Sequence, residues 1–422
     1  MKQTVLTLIA DVDTHQVDAV RDAIGVIHDD PGGNSLLPFS QFETLHFASL
    51  VLVEGPLVDS PQLIFEGNVD GTTEEWLTTL ATNGAAGLDA LFGTSPGYPA
   101  GNDATARRIW LASHVVRPAA YHIGATGRSR QRIRREAELH QAIEDFIDEE
   151  DRAGRLDGAS PASVRAKVQA FVRAAPGLAW AQVPAGPRET RLERARYVAT
   201  AVAAGLVALV LSPLLVLVLV VVAPVLLLKE LTDPVQKGPA SPAHVNAVEE
   251  DEDQRRVAQN HLASVIPVKP GILRVVLLRA VLFVINQVAR VSATKGELGG
   301  IPSIHFAHWS VINDGRHLLF LSNFDGSWES YLGDFIDKAA KGLTAVWSNT
   351  VNFPRTTLLV FRGAEDGPRF RQWGRASQCR TGAWYNAYPT ATMSVIDNNS
   401  ALREGLFANL DEKDTAAWLA RL

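Results

Sequence analysis

Two stretches of the chain repeat one order of apolar and polar positions. Each begins with a β-rich run, at 45–53 in the first stretch and at 304–312 in the second. A turn and a second apolar run follow, at 62–67 and at 317–322. Two adjacent strands joined by a short turn predict a β-hairpin in each stretch.

An Asp-Gly pair closes each hairpin, and we expect a helix directly after it. Thr72 and Ser327 are favoured N-cap residues, and Glu75 stands three positions after Thr72, as in a capping box. After the helix a further β-rich run is expected, at 108–116 in the first stretch and at 356–361 in the second.

The residues before the first hairpin complete a known order of elements. The run at 5–10 predicts a first strand, and the residues at 15–24 predict a helix. The first stretch therefore follows the order β-α-β-β-α-β, the ferredoxin-like arrangement, which is an α+β fold.

The two stretches also resemble each other residue by residue. Laying 63–99 on 318–354 without a gap gives identical residues at about a third of the positions. This similarity predicts an internal duplication that covers roughly 40–125 and 300–390. The matched pairs within this alignment include Phe65 and Phe320, Asn68 and Asn323, Asp70 and Asp325, and Gly71 and Gly326. Outside it, His46 matches His305 if the first stretch carries four extra residues, and Tyr121 is matched with Tyr385.

A long apolar segment separates the two stretches. Residues 197–228 contain no charged side chain, and about 20 apolar residues suffice to cross a bilayer. One straight helix of this length would measure about 48 Å against a hydrocarbon core of about 30 Å. Pro213 and Pro224 offer places to bend, so the segment is either one tilted span or a re-entrant hairpin.

The run at 272–291 is apolar but amphipathic, which is typical of an interfacial helix. Its polar stripe consists of Arg279, Asn286 and Arg290, and Arg274 would reach the headgroups from the start of the helix. An ordinary helix covering a sheet is the alternative. The face predicted to enter the bilayer comprises Leu277, Val281, Val284 and Val288.

Charge and cysteine content narrow the function classes. A net charge of −6 and a pI near 6.0 give no reason to expect nucleic acid as a partner. The single cysteine, Cys379, excludes an intramolecular disulfide and fits a reducing compartment. We expect the soluble units in the cytoplasm, because the flank before the apolar segment is basic. Its cations are Arg188, Arg191, Arg194 and Arg196.

These patterns divide the chain into segments. We expect a first ferredoxin-like unit at 1–127, a charged helical connector at 128–196, a membrane segment at 197–228, an acidic linker at 229–265, an amphipathic interfacial helix at 266–295 and a second ferredoxin-like unit at 296–422. The charged stretch at 128–150 is expected to form an exposed helix.

The paired units, with His-Phe-Ala on one strand and Asn-x-Asp-Gly closing the next, resemble the dimeric α+β barrel superfamily. This resemblance implies two ferredoxin-like units in tandem whose sheets face each other as an intramolecular barrel. Both units must then lie on one side of the bilayer, which favours the re-entrant hairpin. A single crossing would require each unit to pair with another molecule, as in a homo-oligomer.

The superfamily includes haem enzymes, and one motif supports that comparison. Residues 67–71 spell GxxDG and resemble the motif in which dye-decolourising peroxidases place a distal acid, which implies a role for Asp70 and, in the second unit, for Asp325. The second unit lacks the first glycine. Turn formation before a helix equally explains both aspartates. A proximal haem ligand would come from His114, His122 or His140.

Other candidate residues suit a bound ligand. His46 and His305 occupy the same place in the two units and would line a shared pocket if they face the interior. Tyr385 and Arg355 belong to an aromatic and arginine-rich second unit that suits an amphiphilic molecule. His308 is expected on the strand face opposite His305, so no metal site is assigned.

Three functions therefore stay open. The first is a membrane-attached protein that binds a hydrophobic or amphiphilic small molecule or mediates assembly at the bilayer. The second is a haem-dependent, peroxidase-like oxidoreductase. The third is a non-catalytic membrane scaffold. A ligand in the purified protein, or its absence, separates these hypotheses.

Overall fold

The chain has a mixed α+β structure containing two five-stranded antiparallel sheets. The computed structural model describes residues 2–55, 58–99, 101, 103–184, 186, 191–254, 258–292 and 296–422. Its strands are β1 (Gln3–Asp11), β2 (Leu45–Val53), β3 (Gln62–Asp70), β4 (Val115–Val116), β5 (Ala120–Ile123), β6 (Gln259–Pro267), β7 (Ile304–Ile312), β8 (His317–Asp325), β9 (Thr356–Thr357), β10 (Phe361–Arg362), β11 (Gln378–Cys379) and β12 (Ala383–Asn386).

Helices cover the outer faces of the sheets and form the long central segment. They are α1 (Val17–Asp29), α2 (Thr73–Asn83), α3 (Ala85–Phe92), α4 (Ala104–Ser113), α5 (Arg130–Arg152), α6 (Pro161–Ala174), α7 (Arg191–Val210), α8 (Ser212–Thr232), α9 (Pro242–Gln254), α10 (Ile272–Ser292), α11 (Trp328–Trp347), α12 (Gly367–Ser377), α13 (Met393–Leu406) and α14 (Glu412–Leu419).

The strand order is the same in the two sheets when the strands are counted within each half of the chain. The first sheet runs β12-β2-β3-β1-β4 and the second runs β11-β6-β8-β7-β5, which is the same order read in reverse. The predicted hairpins β2-β3 and β7-β8 are confirmed, as are the N-caps Thr72 and Ser327 and the capping box with Glu75.

Each sheet takes its fifth strand from the other half of the chain. β12 pairs with β2, and β5 pairs with β7. Both additions occupy the edge that would otherwise present unpaired backbone groups. In this register Tyr121 lies opposite His308 and Trp384 lies opposite Ser49, so Tyr121 corresponds to Trp384 and not to Tyr385, as the sequence match suggested.

The inner faces of the two sheets pack against each other. Ile64 of β3 shares one apolar cluster with Leu319 and Leu321 of β8, whereas its neighbour Phe65 belongs to the core under the helices of the first half. Strands covered on both faces read as continuous apolar runs, which is why nearly every residue of β2, β3, β7 and β8 is buried.

Two predicted strands are absent at the predicted places. Most of 108–116 belongs to α4, because Arg107, Trp110 and Leu111 are buried with helical spacing and only the end of the run forms β4. The run at 356–361 forms the small hairpin β9-β10, separate from both sheets. The fourth strand of the second half is β11 instead.

The structure also differs from the linker predicted at 229–265. β6 lies within it and is a central strand of the second sheet, paired with β8 over nine residues. The acidic stretch before it forms α9, where Glu252 pairs with Arg375. The linker was predicted from the Gly, Pro and acidic residues around 234–253, and the prediction extended it over the strand that follows them.

The charged stretch at 128–150 forms a helix, α5, but the helix is not simply exposed. Ile133, Glu136, Leu139 and Ile143 are buried and pack towards α13. Glu136 accepts hydrogen bonds from Arg132 Nε at 2.6 Å and Arg403 Nη1 at 3.0 Å, so the burial of its charge is compensated. The apolar i, i+3 and i+4 spacing was obscured by the many charges.

The long apolar segment consists of two helices, α7 and α8, that meet at Leu211. The break stands beside Pro213, one of the two predicted bending points, whereas Pro224 lies inside α8. Of the basic flank, Arg194 and Arg196 are exposed. Arg188 and the side chain of Arg191 lie outside the described residues.

The predicted amphipathic helix is α10, and one of its faces lies on the second sheet. Leu278 and Leu282 are buried there, whereas Val276, Phe283 and Val284 are exposed. Arg279 of the predicted polar stripe is exposed, and Phe283, which the prediction assigned to neither face, is exposed on the same side. Arg274 is buried beside Asp233 and does not reach outwards. The side chain of Arg290 lies outside the described residues.

We expect the two halves to unfold together, because one aromatic cluster belongs to both. The Phe306 ring lies 5.8 Å from Phe47 of the other sheet and is buried. Phe306→Ala should lower the free energy of unfolding by about 3–5 kcal/mol in a single transition, measured by denaturant unfolding of the full chain. Val395→Ala, at an exposed site, is the control. Two separate transitions would contradict a shared core.

Candidate functional site

The candidate site residues His46 and Asp70 form a buried pair in the first half of the chain. His46 Nε2 lies 3.1 Å from Asp70 Oδ1, and Asp70 Oδ2 accepts a hydrogen bond from Arg130 N at 2.8 Å. Arg130 begins α5, so the aspartate lies at the N-terminus of a long helix, where a negative charge is stabilised.

His305 and Asp325 repeat this arrangement in the second half. His305 Nε2 lies 2.7 Å from Asp325 Oδ1, and Asp325 Oδ2 accepts from Met393 N at 2.7 Å. Met393 begins α13. Each aspartate therefore joins a strand histidine to the helix that follows the strand donated to the other sheet.

The two pairs meet around Tyr388. Its hydroxyl lies 2.9 Å from His46 Nδ1, and its ring centroid lies 6.1 Å from that of His305. Burial raises the pKa of Tyr388 well above its usual value, and the charges of Asp70 and Asp325 raise it further. The phenol therefore stays protonated. Phe47 and Phe306 fill the remaining space between the two histidine rings.

A β-bulge brings these aromatic residues inside. The pairing of β7 with β8 shifts between Ile304 and Phe306, and the pairing of β2 with β3 shifts between Leu45 and Phe47. Such a shift breaks the alternation of faces. The expectation that His308 lies on the face opposite His305 is wrong for this reason: both face the first sheet, where His305 contacts Phe47 and His308 contacts Thr7.

Tyr385 and Arg355 occupy other places. The Tyr385 hydroxyl accepts from Arg130 Nη2 at 3.3 Å, and its ring packs on Phe39 in the core of the first half. Burial raises the pKa of Tyr385. Arg355 is exposed and donates to the carbonyl of Leu231 at the end of α8, so it does not join the histidine and aspartate pairs.

A third polar cluster, which sequence reasoning missed, lies between the sheets around Glu66 of β3. Its carboxylate is fully buried and lies 3.1 Å from His261 Nε2 of β6 and 3.6 Å from His308 Nδ1 of β7. Three hydrogen bonds to it come from Ser49 Oγ at 3.1 Å, Asn68 Nδ2 at 2.9 Å and Asn323 Nδ2 at 3.3 Å. We call these residues the Glu66 cluster.

One signal in the sequence pointed to this cluster. In the repeat, Glu66 stands where the second half has Leu321, a charged residue inside an otherwise apolar strand. His261 carried no signal, because it lay in the predicted linker. Burial of an unpaired carboxylate is costly, so a glutamate at such a position predicts partners on the facing sheet.

The electrostatics of the cluster favour an ionised Glu66 beside a neutral His308. Burial raises the pKa of Glu66, but its interactions with the neighbouring side chains, the hydrogen bond from His261 first among them, outweigh burial and lower the pKa to about 2. Burial lowers the pKa of His308 to about 4, although the charge of Glu66 opposes this. His308 is therefore neutral at pH 7, with Nε2 2.8 Å from Thr7 Oγ1.

The three candidate haem-ligand histidines do not converge. His122 Nε2 contacts the carbonyl of Gly296 at 3.2 Å, and burial lowers its pKa to about 4. His114 stacks on Trp110 with centroids 3.8 Å apart, and His140 Nδ1 lies 2.5 Å from Asn399 Oδ1 on α13. Each ring is held by a different part of the fold.

The surroundings of Asp70 and Asp325 do not fit a haem group. Both oxygen atoms of Asp325 and the Oδ2 atom of Asp70 accept hydrogen bonds within the protein, Asp70 Oδ1 faces the buried His46 ring at 3.1 Å, and aromatic rings pack the space beside them. Among the described residues, no group of three or more His, Cys, Asp or Glu side chains could hold a metal ion. The histidine and aspartate pairs therefore act as buried clamps that position α5 and α13.

One cavity of about 350 Å³ opens at the other end of the sheets. None of the candidate residues except His114 borders it. Its lining includes Ile9, Asp11, Gln62, Val116, Val311 and Asn313, so both halves of the chain contribute.

Comparisons of the chain with models of protein families, with curated proteins and with solved structures found no match.

We expect the buried Glu66 cluster to contribute more to the free energy of unfolding than an exposed ion pair does. Glu66→Gln removes the charge that His261 and three uncharged donors compensate, and should lower the free energy of unfolding by about 3 kcal/mol. Glu54→Gln, which breaks the exposed pair with Arg21, should change it by less than about 1 kcal/mol. Denaturant unfolding at pH 7.5 measures both. Equal changes in the free energy of unfolding would show that the buried carboxylate contributes no more to stability than the exposed one.

Stability should fall between about pH 6.5 and pH 4. His308 and His122 titrate near 4 in the folded chain and near 6.5 when unfolded, so below pH 6.5 the unfolded state binds protons that the folded state does not. Each can cost on the order of 3 kcal/mol by pH 4. Unfolding curves at pH 7.5 and 5 measure the loss, and His308→Gln should reduce it. A slope unchanged by that variant would contradict this assignment.

Proposed function

We propose that this protein is a membrane-attached assembly or scaffold protein whose two sheets sit on one face of a bilayer. The observation that carries the proposal is the exposed apolar surface of α7, α8 and α10. A surface of this extent is not tolerated in water and indicates a membrane or protein partner. Its members include Val202, Leu206, Leu209 and Val210 on α7, Val216, Val220, Val221 and Leu228 on α8, and Ile272, Val276, Phe283 and Val288 on α10.

α10 is the clearest element of this surface. The stretch Ile272–Ala289 is long and apolar enough to cross a bilayer, and only 17% of it is buried. Yet Leu278 and Leu282 pack on the second sheet, and the chain returns to that sheet at both ends of the helix. These contacts support a helix that lies in the membrane interface, with the sheet on one side and lipid on the other.

The position of Arg279 agrees with this orientation. It is exposed in the middle of α10, beside Phe283 on the outer face. A helix lying at headgroup depth lets the long arginine side chain reach phosphates while its neighbours enter the acyl region. In a helix that crossed the bilayer, the same charge would stand near the centre at a high cost.

For α7 and α8 we propose a re-entrant hairpin and not a single crossing. The strands before and after these helices belong to the same pair of sheets, because β5 is part of the second sheet and β12 part of the first. A single span would put the two halves on opposite sides of the membrane. The exposed cations Arg194 and Arg196 at the start of α7 favour the cytoplasmic side.

One ion-pair group fixes the end of α8 against the start of α10. Asp233 Oδ2 lies 2.5 Å from Arg274 Nη2 and 2.8 Å from Lys269 Nζ. Burial lowers the pKa of Lys269, and its hydrogen bond with Asp233 opposes this shift. The group holds the two apolar helices at one edge of the second sheet, so that they can enter the same bilayer.

The repeated strand order supports a tandem pair of ferredoxin-like units derived from an internal duplication, as the resemblance to the dimeric α+β barrel superfamily implies. In this chain the space between the sheets is filled by side chains, including Phe47, Phe306 and Tyr388. This filling favours assembly or scaffolding over a ligand site in the centre of a barrel.

A second candidate function is the binding of a small amphiphilic molecule in the 350 Å³ cavity. The cavity combines apolar walls with the polar groups of Asp11, Gln62 and Asn313, as small-molecule sites do. Co-purified material identified by mass spectrometry, lost in an Ile312→Trp variant that fills the cavity, would support this function over the scaffold.

Membrane attachment should depend on the apolar character of α8. Val216→Asp combined with Val220→Asp places two charges on exposed positions of this helix, each costing a few kcal/mol in a bilayer. We expect the variant to shift from the alkali-resistant membrane fraction to the supernatant. Val26→Asp, on an exposed position of α1, is the matched control and should stay with the wild type. A wild-type chain extracted by alkali would contradict attachment through these helices.

A further inference from the structure

The hairpin β9-β10 is an isolated element with an apolar tip. Phe361 pairs with Thr357 and Arg362 pairs with Thr356, and neither strand joins the two large sheets. Between them run Leu358, Leu359 and Val360. Leu358 is 53% exposed and Phe361 is 45% exposed, so the tip turns its apolar side chains outwards.

The tip holds an unfavourable backbone conformation. Leu358 and Leu359 have φ values of 55° and 61°, and Arg362 has 62°. Non-glycine residues with such values cost about 1–3 kcal/mol each and persist only where the surroundings impose them. Strain of this kind, at three positions of a seven-residue hairpin, suggests a function for the shape of the tip.

A single carboxylate from α8 imposes this shape. Glu230 is buried and accepts from Leu358 N at 2.9 Å, Leu359 N at 2.7 Å and Thr356 Oγ1 at 2.5 Å. Arg355 adds a hydrogen bond to the carbonyl of Leu231 at 3.1 Å. The hairpin is therefore fastened to the last turn of the apolar segment.

The hydrogen bonds to Glu230 place the tip beside the last turns of α8. Leu227, Leu228 and Leu231 are exposed on the same last turns of α8. Cations surround the tip: Arg355 and Arg362 are exposed, and Lys341 Nζ lies 5.7 Å from the centroid of the Phe361 ring. Apolar side chains ringed by exposed cations match a bilayer with anionic headgroups.

We propose that the β9-β10 hairpin inserts Leu358 and Phe361 into the headgroup and upper acyl region of an anionic phospholipid bilayer, as a shallow wedge beside the end of α8. This inference rests on the proposed membrane attachment and adds a second contact to it. The wedge and α8 would together set the depth and tilt of the second sheet against the membrane.

Site-directed labelling of the full chain in liposomes tests the wedge. The native Cys379 should react slowly, because burial raises the pKa of its thiol to about 11, and unlabelled wild type gives the background. An environment-sensitive dye is attached to Leu358→Cys, to Val220→Cys on α8 and to Val26→Cys on α1. Vesicles contain phosphatidylcholine with or without phosphatidylglycerol, and brominated lipids serve as quenchers.

We expect blue-shifted, quenched emission at positions 358 and 220 and neither effect at position 26. Quenching at 220 with none at 358 would overturn the wedge and leave membrane attachment in place. No quenching at either position would overturn attachment, and the wedge with it. At 358 we also expect at least twofold stronger quenching when phosphatidylglycerol is present. Equal quenching in both vesicles would overturn the role of the cations.

Folding of the labelled chains is checked by their far-ultraviolet circular dichroism and by the unfolding transition of the wild type. A further variant, Phe361→Ser, replaces the exposed aromatic ring with a small uncharged side chain. It should weaken quenching at position 358, because the tip then has only one large apolar side chain left to enter the lipid. Val395→Ser, at an exposed position of α13, is the matched control. Equal quenching in both variants would show that Phe361 does not enter the lipid.

Discussion

Each of the two sheets is completed by a strand from the other half of the chain, and this exchange ties the two halves to each other. β2 and β7 would each end a sheet with unpaired backbone groups, and each is completed by a strand from the other half of the chain. The helix after each donated strand returns to its own half through Asp70 or Asp325, so each half reaches into the other and comes back. A segment inserted between the halves, such as α7 and α8, must therefore begin and end at the same pair of sheets.

The strand exchange also determines how the apolar segment is connected to the rest of the chain. Its helices depart from and return to a body whose two halves share their sheets, and this is why the attachment we propose is a contact with one face of the bilayer and not a crossing. Asp233 anchors the end of α8 to α10, and Glu230 anchors it to the β9-β10 hairpin. Two neighbouring carboxylates thus fix α10 and the β9-β10 hairpin to the end of α8. Each of the three elements carries exposed apolar side chains.

The packing of one sheet on the other is specified by a residue that differs between the two halves. Apolar residues such as Ile64 and Leu319 share the contact between the sheets with buried polar residues, and Glu66 has no counterpart in the second half, where Leu321 stands. A buried carboxylate is tolerable only if its partners arrive on the facing sheet, and His261, His308 and Asn323 supply them. The cluster thereby fixes which way the sheets meet, at the cost of sensitivity to acid.

The hairpins, their N-caps, the similarity between the two stretches and the apolar segment were predictable from the amino-acid order, because these features depend on residues close together in the chain. The prediction missed β6 and α4, where flanking acids, prolines or arginines masked a short pattern, and it assigned the residues of β9-β10 to a strand of the large sheet. The strand exchange, the clamps around Tyr388 and the partners of Glu66 appear only in the folded chain. Those depend on bulges and pairings between residues hundreds of positions apart, and no local spacing encodes them.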